Sequence, residues 1–111
     1  MFQSLLAMEG LIKCLPAVLR ASGNAPEVIE AAVIAAWKHV AGEQLKDHAV
    51  PLGLQDRTLR IAVADVIWQK QLHSMRGQML FRVNTLLGQP LVGSLEFVVD
   101  TEHANNRSGH C

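Results

Sequence analysis

The chain has 111 residues, half of them apolar, and ten Lys and Arg balance ten Asp and Glu. This length and composition fit one domain with a single small core, and the zero net charge excludes a protein that binds nucleic acid through overall charge alone. Two distant cysteines exclude a disulfide framework, the amino terminus lacks the basic start of a signal peptide, and the longest apolar run, residues 31–37, is too short to span a membrane. We therefore expect a cytoplasmic protein without a membrane partner.

Two predicted helices occupy the first part of the chain. Apolar residues at spacings of three and four predict a helix over residues 2–21, and Pro16, which lacks a backbone donor, is expected to kink or split it. The second helix is predicted to begin near Pro26, since proline suits the first helical position. Its buried stripe includes Trp37, and Gly42 is expected to end or bend it.

Two alternating runs then predict a β-hairpin. Residues 49–55 and 58–64 each alternate in character, and a turn over residues 55–57 separates them. Pro51 indicates either an edge strand or a position whose backbone donor is not needed. The residues of these strands that we expect to face the core are Val50, Leu52, Leu54, Leu59, Ile61 and Val63.

The strongest periodic signal in the chain predicts one long third helix. Asp65 is a fitting N-cap, Gly77 is tolerated inside the helix, and Gly88-Gln89-Pro90 ends it. The apolar stripe of this helix comprises Trp68, Leu72, Met75, Met79, Val83 and Leu86. A third strand follows, and its residues expected to face the core are Leu95, Phe97 and Val99.

The predicted element order is helix, helix, strand, strand, helix, strand. The apolar face of a three-stranded sheet needs a cover, which the helices supply, so the expected fold is a small two-layer α+β domain. We expect this domain to cover residues 1–102. Residues 103–111 are polar and without pattern, and we expect them to form a disordered tail.

No residue pattern indicates catalysis or a metal site. The five histidines lack the spacing of metal ligands, and no local motif places a nucleophile beside a base. No two glycines lie three apart, so the G-x-x-G loop of RNA-binding KH domains is missing. We therefore expect no enzyme activity, no cofactor, no metal and no small-molecule substrate.

The candidate binding residues lie between the hairpin and the end of the third helix. From residue 57 to residue 95, five Lys and Arg stand against one Asp, a local charge of +4. The candidates for contact with nucleic acid or a partner are Arg57, Arg60, Lys70, His73, Arg76, Phe81 and Arg82. This charge bias fits either phosphate contacts or an ordinary solvated helix face.

Four aromatic or basic residues carry more specific expectations. Arg60 is predicted on the sheet face away from the core. Phe81 is predicted opposite the core stripe, where either the first helix covers it or it anchors a partner. Trp37 and Trp68 are predicted to be core residues rather than surfaces that stack on bases or partners.

The tryptophans belong to an ordered set of short motifs that spans residues 28–99. The set consists of Trp37 with Gly42, Leu45 with His48 and Pro51, the strand Leu59–Val63, Trp68 with Leu72, and Leu80 with Asn84, Leu87 and Gly88. In this order and spacing the chain resembles the bacterial DciA-like family, whose characterised members load the replicative helicase.

The resemblance implies a KH-like α+β domain that works in DNA replication. It implies two partners, the replicative DNA helicase and DNA, either single-stranded or duplex. We therefore expect a non-enzymatic replication accessory protein that resembles a helicase loader. Two alternatives remain: a protein–protein interaction module without nucleic-acid binding, and an RNA-binding KH relative, against which the missing G-x-x-G loop counts.

Overall fold

The structure, a computed structural model, describes residues 12–45 and 47–100. Its elements in chain order are α1 (Leu15–Ser22), α2 (Pro26–Leu45), β1 (Ala49–Gln55), β2 (Thr58–Val63), α3 (Val66–Ser74), α4 (Arg76–Leu87) and β3 (Ser94–Val99). These helices and a three-stranded mixed sheet confirm the predicted α+β class. None of the described helices is long and apolar enough to cross a membrane.

The sheet has the order β1-β2-β3, with β1 antiparallel and β3 parallel to the central β2. The β1–β2 turn consists of Asp56 and Arg57, whose φ values of 53° and 66° are those that a type I′ hairpin turn requires. Parallel strands need a long crossover, which α3 and α4 supply. Because of this topology, the start of β1 and the ends of β2 and β3 lie at the same end of the sheet.

The first two helices follow the sequence rules for their ends. The helical assignment is interrupted at Cys14, and Pro16 lies in the first turn of α1, in agreement with the predicted split. The second helix begins at Pro26 and bends at Gly42, whose φ of 76° and ψ of −177° are not helical. The rest of the first predicted helix, and the tail predicted at residues 103–111, lie outside the described residues.

The third predicted helix is in fact two helices, α3 and α4, and the prediction of one continuous helix was wrong. Met75 separates them with φ −104° and ψ 6°, and its N–H donates to the Leu72 carbonyl, only three residues back. This tighter turn shifts the buried stripe. Met75 is 40% exposed, whereas Leu87, outside the predicted stripe, is fully buried.

One core lies between the helices and the inner face of the sheet. Trp37 on α2 is fully buried, as predicted, and its ring centroid lies 6.1 Å from that of Phe97 on β3. The indole N–H of Trp37 donates to the Ala49 carbonyl at 3.2 Å. The strand residues in this core are Ala49, Leu59, Ile61, Val63, Leu95 and Phe97.

The prediction that Val50 and Leu52 face the core was wrong because β1 contains a β-bulge. The register shifts between Pro51 and Gly53, which leaves Leu52 as the extra residue. Val50 therefore pairs with Ala62 on the outer face of the sheet. Val99 does lie on the inner face, as predicted, because it pairs with the buried Val63, but it is 43% exposed since it stands at the end of the edge strand β3.

Candidate nucleic-acid and partner interface

Three of the candidate residues, Lys70, His73 and Arg76, lie together at the junction of α3 and α4, and we call them the basic cluster. All three are exposed. Lys70 and His73 are three residues apart on α3, so they are neighbours on the helix surface. Arg76, the first residue of α4, donates through Nη1 to the His73 carbonyl at 2.9 Å and lies 3.0 Å from His73 Nδ1.

The contact between Arg76 and His73 orients the imidazole. Nδ1 of His73 faces the guanidinium of Arg76, and the carbonyl of His73 accepts a hydrogen bond from the same Nη1. The other ring nitrogen, Nε2, is left for a contact with a partner.

The sequence around the basic cluster contains no acidic residue. Residues 66–87, which include both α3 and α4, contain Lys70, Arg76 and Arg82 but no Asp or Glu. The first turn of α4 has no acidic residue, so the positive end of its helix dipole adds to the charge of Arg76. This junction therefore favours an anionic partner.

The two hairpin candidates, Arg57 and Arg60, do not join the basic cluster in its contacts. Arg57 donates through Nη2 to the Pro90 carbonyl at 2.7 Å, and its own carbonyl accepts the N–H of Gly93 at 2.7 Å. Arg60 lies on the outer face of the sheet, as predicted, and its Nε is 3.2 Å from Oε1 of Glu96. Both arginines therefore hold β3 and the loop before it against the hairpin.

The remaining candidates, Phe81 and Arg82, are consecutive exposed residues of α4. Phe81 is 72% exposed, the second most exposed large apolar side chain in the described chain. It borders an open groove of about 550 Å³ lined by Gly77, Leu80, Phe81, Asn84, Thr85, Gly88, Gln89 and Pro90. Of the two explanations offered for Phe81, cover by the first helix depends on residues 2–11, which lie outside the described residues.

The second tryptophan, Trp68, meets its prediction only in part, since it packs against the core at its margin. It is only half-buried, and its indole stacks on the exposed imidazole of His48, with centroids 4.7 Å apart and planes 12° apart. Sequence patterns alone could not pair these rings, since they are 20 positions apart on different elements. Together the two rings form a flat surface with an apolar part, the indole, and a polar part, the imidazole.

Sequence analysis also missed two exposed β-branched residues beside Trp68. Val66 is 52% exposed and Ile67 is 74% exposed, in the first turn of α3. The available signal was their position directly after the Asp65 N-cap and outside the predicted apolar stripe.

Among residues 12–45 and 47–100, no group of three or more His, Cys, Asp or Glu could hold a metal ion.

Comparison with known proteins places the chain in a family. The family model described as "Dna[CI] antecedent, DciA" matches residues 10–97. A UPF0232 protein of Mycolicibacterium paratuberculosis is 36% identical over 69% of this chain and 42% of its own length. A UPF0232 protein of Rhodococcus jostii is 33% identical over 77% of this chain and 45% of its own length.

The matches cover most of this chain but only part of each relative. The chain spans less than half the length of the curated relatives it matches, so the similarity concerns one domain of those proteins. The family match includes α1 to α4 and nearly all of the sheet, from residue 10 to residue 97. It thereby confirms the resemblance noted in the motifs around Trp37 and Trp68, and the chain belongs to the DciA family.

Proposed function

We propose that this chain is a non-enzymatic DNA-replication accessory domain that binds the replicative helicase and contacts DNA through the basic cluster. Membership of the DciA family supports the replication setting. The proposal includes a KH-like architecture, action in the cytoplasm, and no need for a cofactor. The observation that carries the DNA contact is the acid-free α3–α4 junction, where Lys70, His73 and Arg76 meet the positive end of α4.

The geometry of the basic cluster suits phosphates better than it suits base edges. Lys70 and Arg76 supply charge and N–H donors on an exposed surface, and such groups position a DNA backbone without selecting a sequence. The whole chain has no net charge, so its affinity for DNA comes from locally concentrated positive charge. We expect weak binding that falls steeply with salt and has little sequence preference.

Fluorescence anisotropy with a labelled oligonucleotide tests the DNA contact. Wild-type protein is titrated with single-stranded and duplex DNA between low and moderate salt, together with Lys70→Ala and Arg76→Ala. Each substitution should weaken binding to all sequences and lower the slope of log K against log salt by about 1. Arg60→Ala is the matched control, since its guanidinium is paired with Glu96, and it should bind as wild type does.

Two outcomes would reject this assignment. Binding that does not change with salt excludes a phosphate mechanism. Equal losses from Arg60→Ala and Arg76→Ala would show that the cluster has no special role. The helicase arm is tested separately, by sedimentation of the chain with the purified replicative helicase of the same organism, where the absence of a complex counts against the helicase part of the proposal.

A second candidate function is a protein-interaction module without DNA affinity, and the exposure of Phe81 favours it. At 72% exposed beside an open groove, this side chain could bury against a partner at small cost to the free domain. Phe81→Ser should then abolish helicase capture with little change in stability. A loss of several kcal/mol in unfolding free energy would instead mean that Phe81 packs inside the domain.

A further inference from the structure

One end of the sheet gathers exposed apolar side chains from α3 and β3. Ala49 at the start of β1 pairs with Val63 at the end of β2, and Val63 pairs with Val99 at the end of β3. The chain leaves β2 at this same end and begins α3 with Val66 and Ile67. We call the surface formed by Val66, Ile67, Val99 and the His48–Trp68 pair the apolar end.

The apolar end concentrates exposed hydrophobic surface. Ile67 is 74%, Val66 52% and Val99 43% exposed, and these are three of the six large apolar side chains exposed in the described chain. Beside them, His48 and Trp68 form a stacked aromatic pair. Clustered exposed apolar side chains next to a rigid aromatic group are typical of protein-binding sites.

The charge around the apolar end is acidic. Asp65, which caps α3 through its bond to the Trp68 N–H at 2.9 Å, is exposed. Asp47 precedes His48, and Asp100 follows Val99, held in place by its N–H bond to the Val63 carbonyl at 2.9 Å. Two lysines lie near these three acids in the sequence, Lys46 beside Asp47 and Lys70 one helical turn after Ile67, so the acids are in excess by one. Phosphates are repelled from such a surface, whereas a cationic segment is attracted.

The helix α3 therefore separates two kinds of surface. Its first turn belongs to the apolar end, and its last turn carries His73 of the basic cluster. The nine residues of α3 span about 13 Å, and Lys70 of the basic cluster lies within this length, one helical turn after Ile67. The basic cluster suits a polyanion, and the apolar end suits a protein.

We propose that the apolar end docks a positively charged, amphipathic segment of a protein partner. This inference rests on the proposed function, and in that setting the segment belongs to the replicative helicase. Apolar side chains of the segment would cover Val66, Ile67 and Val99, while its Lys or Arg residues face the exposed carboxylate of Asp65. The stacked indole of Trp68 supplies a flat apolar surface against which the segment can pack.

Two other occupants fit this surface less well. The residues that follow Asp100, 101–111, contain no Val, Leu, Ile, Met or aromatic residue, so they lack apolar side chains to cover the patch. A second copy in a two-fold contact would bring the same acidic surfaces together, because such an interface pairs each patch with itself. Like charges in that arrangement oppose association.

Affinity measurements with the purified replicative helicase of the same organism test the proposal. Ile67→Ser should weaken binding about tenfold or more, because one well-buried aliphatic anchor is lost. Asp65→Asn keeps a side-chain oxygen as helix cap but removes the charge, so it should weaken binding severalfold at low salt and little at high salt. Val18→Ser, an exposed apolar residue on α1, is the control and should bind as wild type does.

Two further measurements test the proposal even if Ile67→Ser misfolds. One uses a second variant, and the other follows hydrogen exchange in the wild-type complex. Val99→Thr replaces one methyl group by a hydroxyl with little change of shape, and it should also weaken helicase binding. In the wild-type complex, hydrogen exchange of amides in residues 63–70 should slow relative to the free chain. DNA binding should be unchanged in Ile67→Ser, since the basic cluster is intact.

The outcomes separate this inference from the function on which it rests. Helicase binding equal to wild type in Ile67→Ser, Val99→Thr and Asp65→Asn overturns the apolar end as docking site and leaves the proposed function standing. A wild-type chain that fails to bind helicase overturns both. Loss of single-stranded DNA binding in Ile67→Ser, with helicase binding intact, overturns the inference and assigns the surface to nucleic acid.

Discussion

The imidazole of His48 stacks on the indole of Trp68, with ring centroids 4.7 Å apart and planes 12° apart. His48 lies in the turn between α2 and β1, and Trp68 lies in α3 close to its Asp65 cap. The stack therefore ties two elements that are distant in sequence, and it sets where the first turn of α3 meets the sheet. Val66 and Ile67 lie in this same first turn of α3.

Removal of the stack should loosen α3 without unfolding the domain. His48→Ala should lower the free energy of unfolding by about 0.5–1.5 kcal/mol, the usual worth of an aromatic pair. Trp68 fluorescence should become easier to quench with acrylamide, because the imidazole no longer covers the indole. His48→Phe keeps a stacked ring and is the control. Equal quenching in all three proteins would contradict a structural role for the pair.

Trp37 should be far more sensitive than Trp68 to replacement by Phe. In Trp37→Phe the Ala49 carbonyl loses its 3.2 Å donor and the fully buried site is left with a void, so the free energy of unfolding should fall by ~2–4 kcal/mol. Trp68→Phe can still stack on His48 and should cost less than about 1.5 kcal/mol. Chemical denaturation measures both, and comparable losses would contradict the difference in burial.

The outer edge of β1 should depend on Glu30 of α2. Oε2 of Glu30 accepts the Leu54 N–H at 3.0 Å, and a Cβ at Gly53 would lie 3.2 Å from the same oxygen. Glu30→Ala should therefore cost about 0.5–1.5 kcal/mol of unfolding free energy, and the Leu54 amide should exchange faster with solvent. Glu27→Ala, in the first turn of the same helix, should leave hydrogen exchange at the Leu54 amide unchanged. Unchanged exchange at Leu54 would count against the contact.

Replacement by alanine of Gly77, inside α4, and of Gly88, at its C-terminal end, should change the stability of the domain in opposite directions. Gly88 ends the helix with φ 74°, and an added Cβ would lie 3.1 Å from Pro16 Cβ and Cγ. Gly88→Ala should destabilise the domain by more than about 1 kcal/mol because both strain and contact oppose it. Gly77 is helical with open space around it, so Gly77→Ala should stabilise by up to ~1 kcal/mol. Thermal unfolding measures both shifts, and equal signs would contradict this account.

Much of the local structure was predictable because short-range rules act on neighbouring residues. Pro26 begins α2, Asp65 caps α3, and Gly42 and Gly88 bend or end their helices through positive φ. Capping needs only a side-chain oxygen three residues before an amide, and glycine alone adopts positive φ without strain. The alternation in β2 likewise predicted its inward residues correctly.

The candidate site was predicted only in part. The sequence put Lys70, His73 and Arg76 in one helical region, but charge bias alone could not separate them from Arg57 and Arg60. The structure makes that separation, since Arg57 bonds to the Pro90 carbonyl and Arg60 to Glu96. Both bonds join residues more than 30 positions apart, beyond the range of any local pattern.

The sequence by itself determined the α+β class, the order of most elements, the ends of the helices and the family, because periodicity, caps and motif order are local properties of the chain. The tertiary structure alone decided the break at Met75, the bulge at Leu52, and the apolar end where β1, β2, α3 and β3 meet. These features arise from packing and strand register between distant segments. Periodicity describes each segment separately, whereas a surface is formed by several segments together.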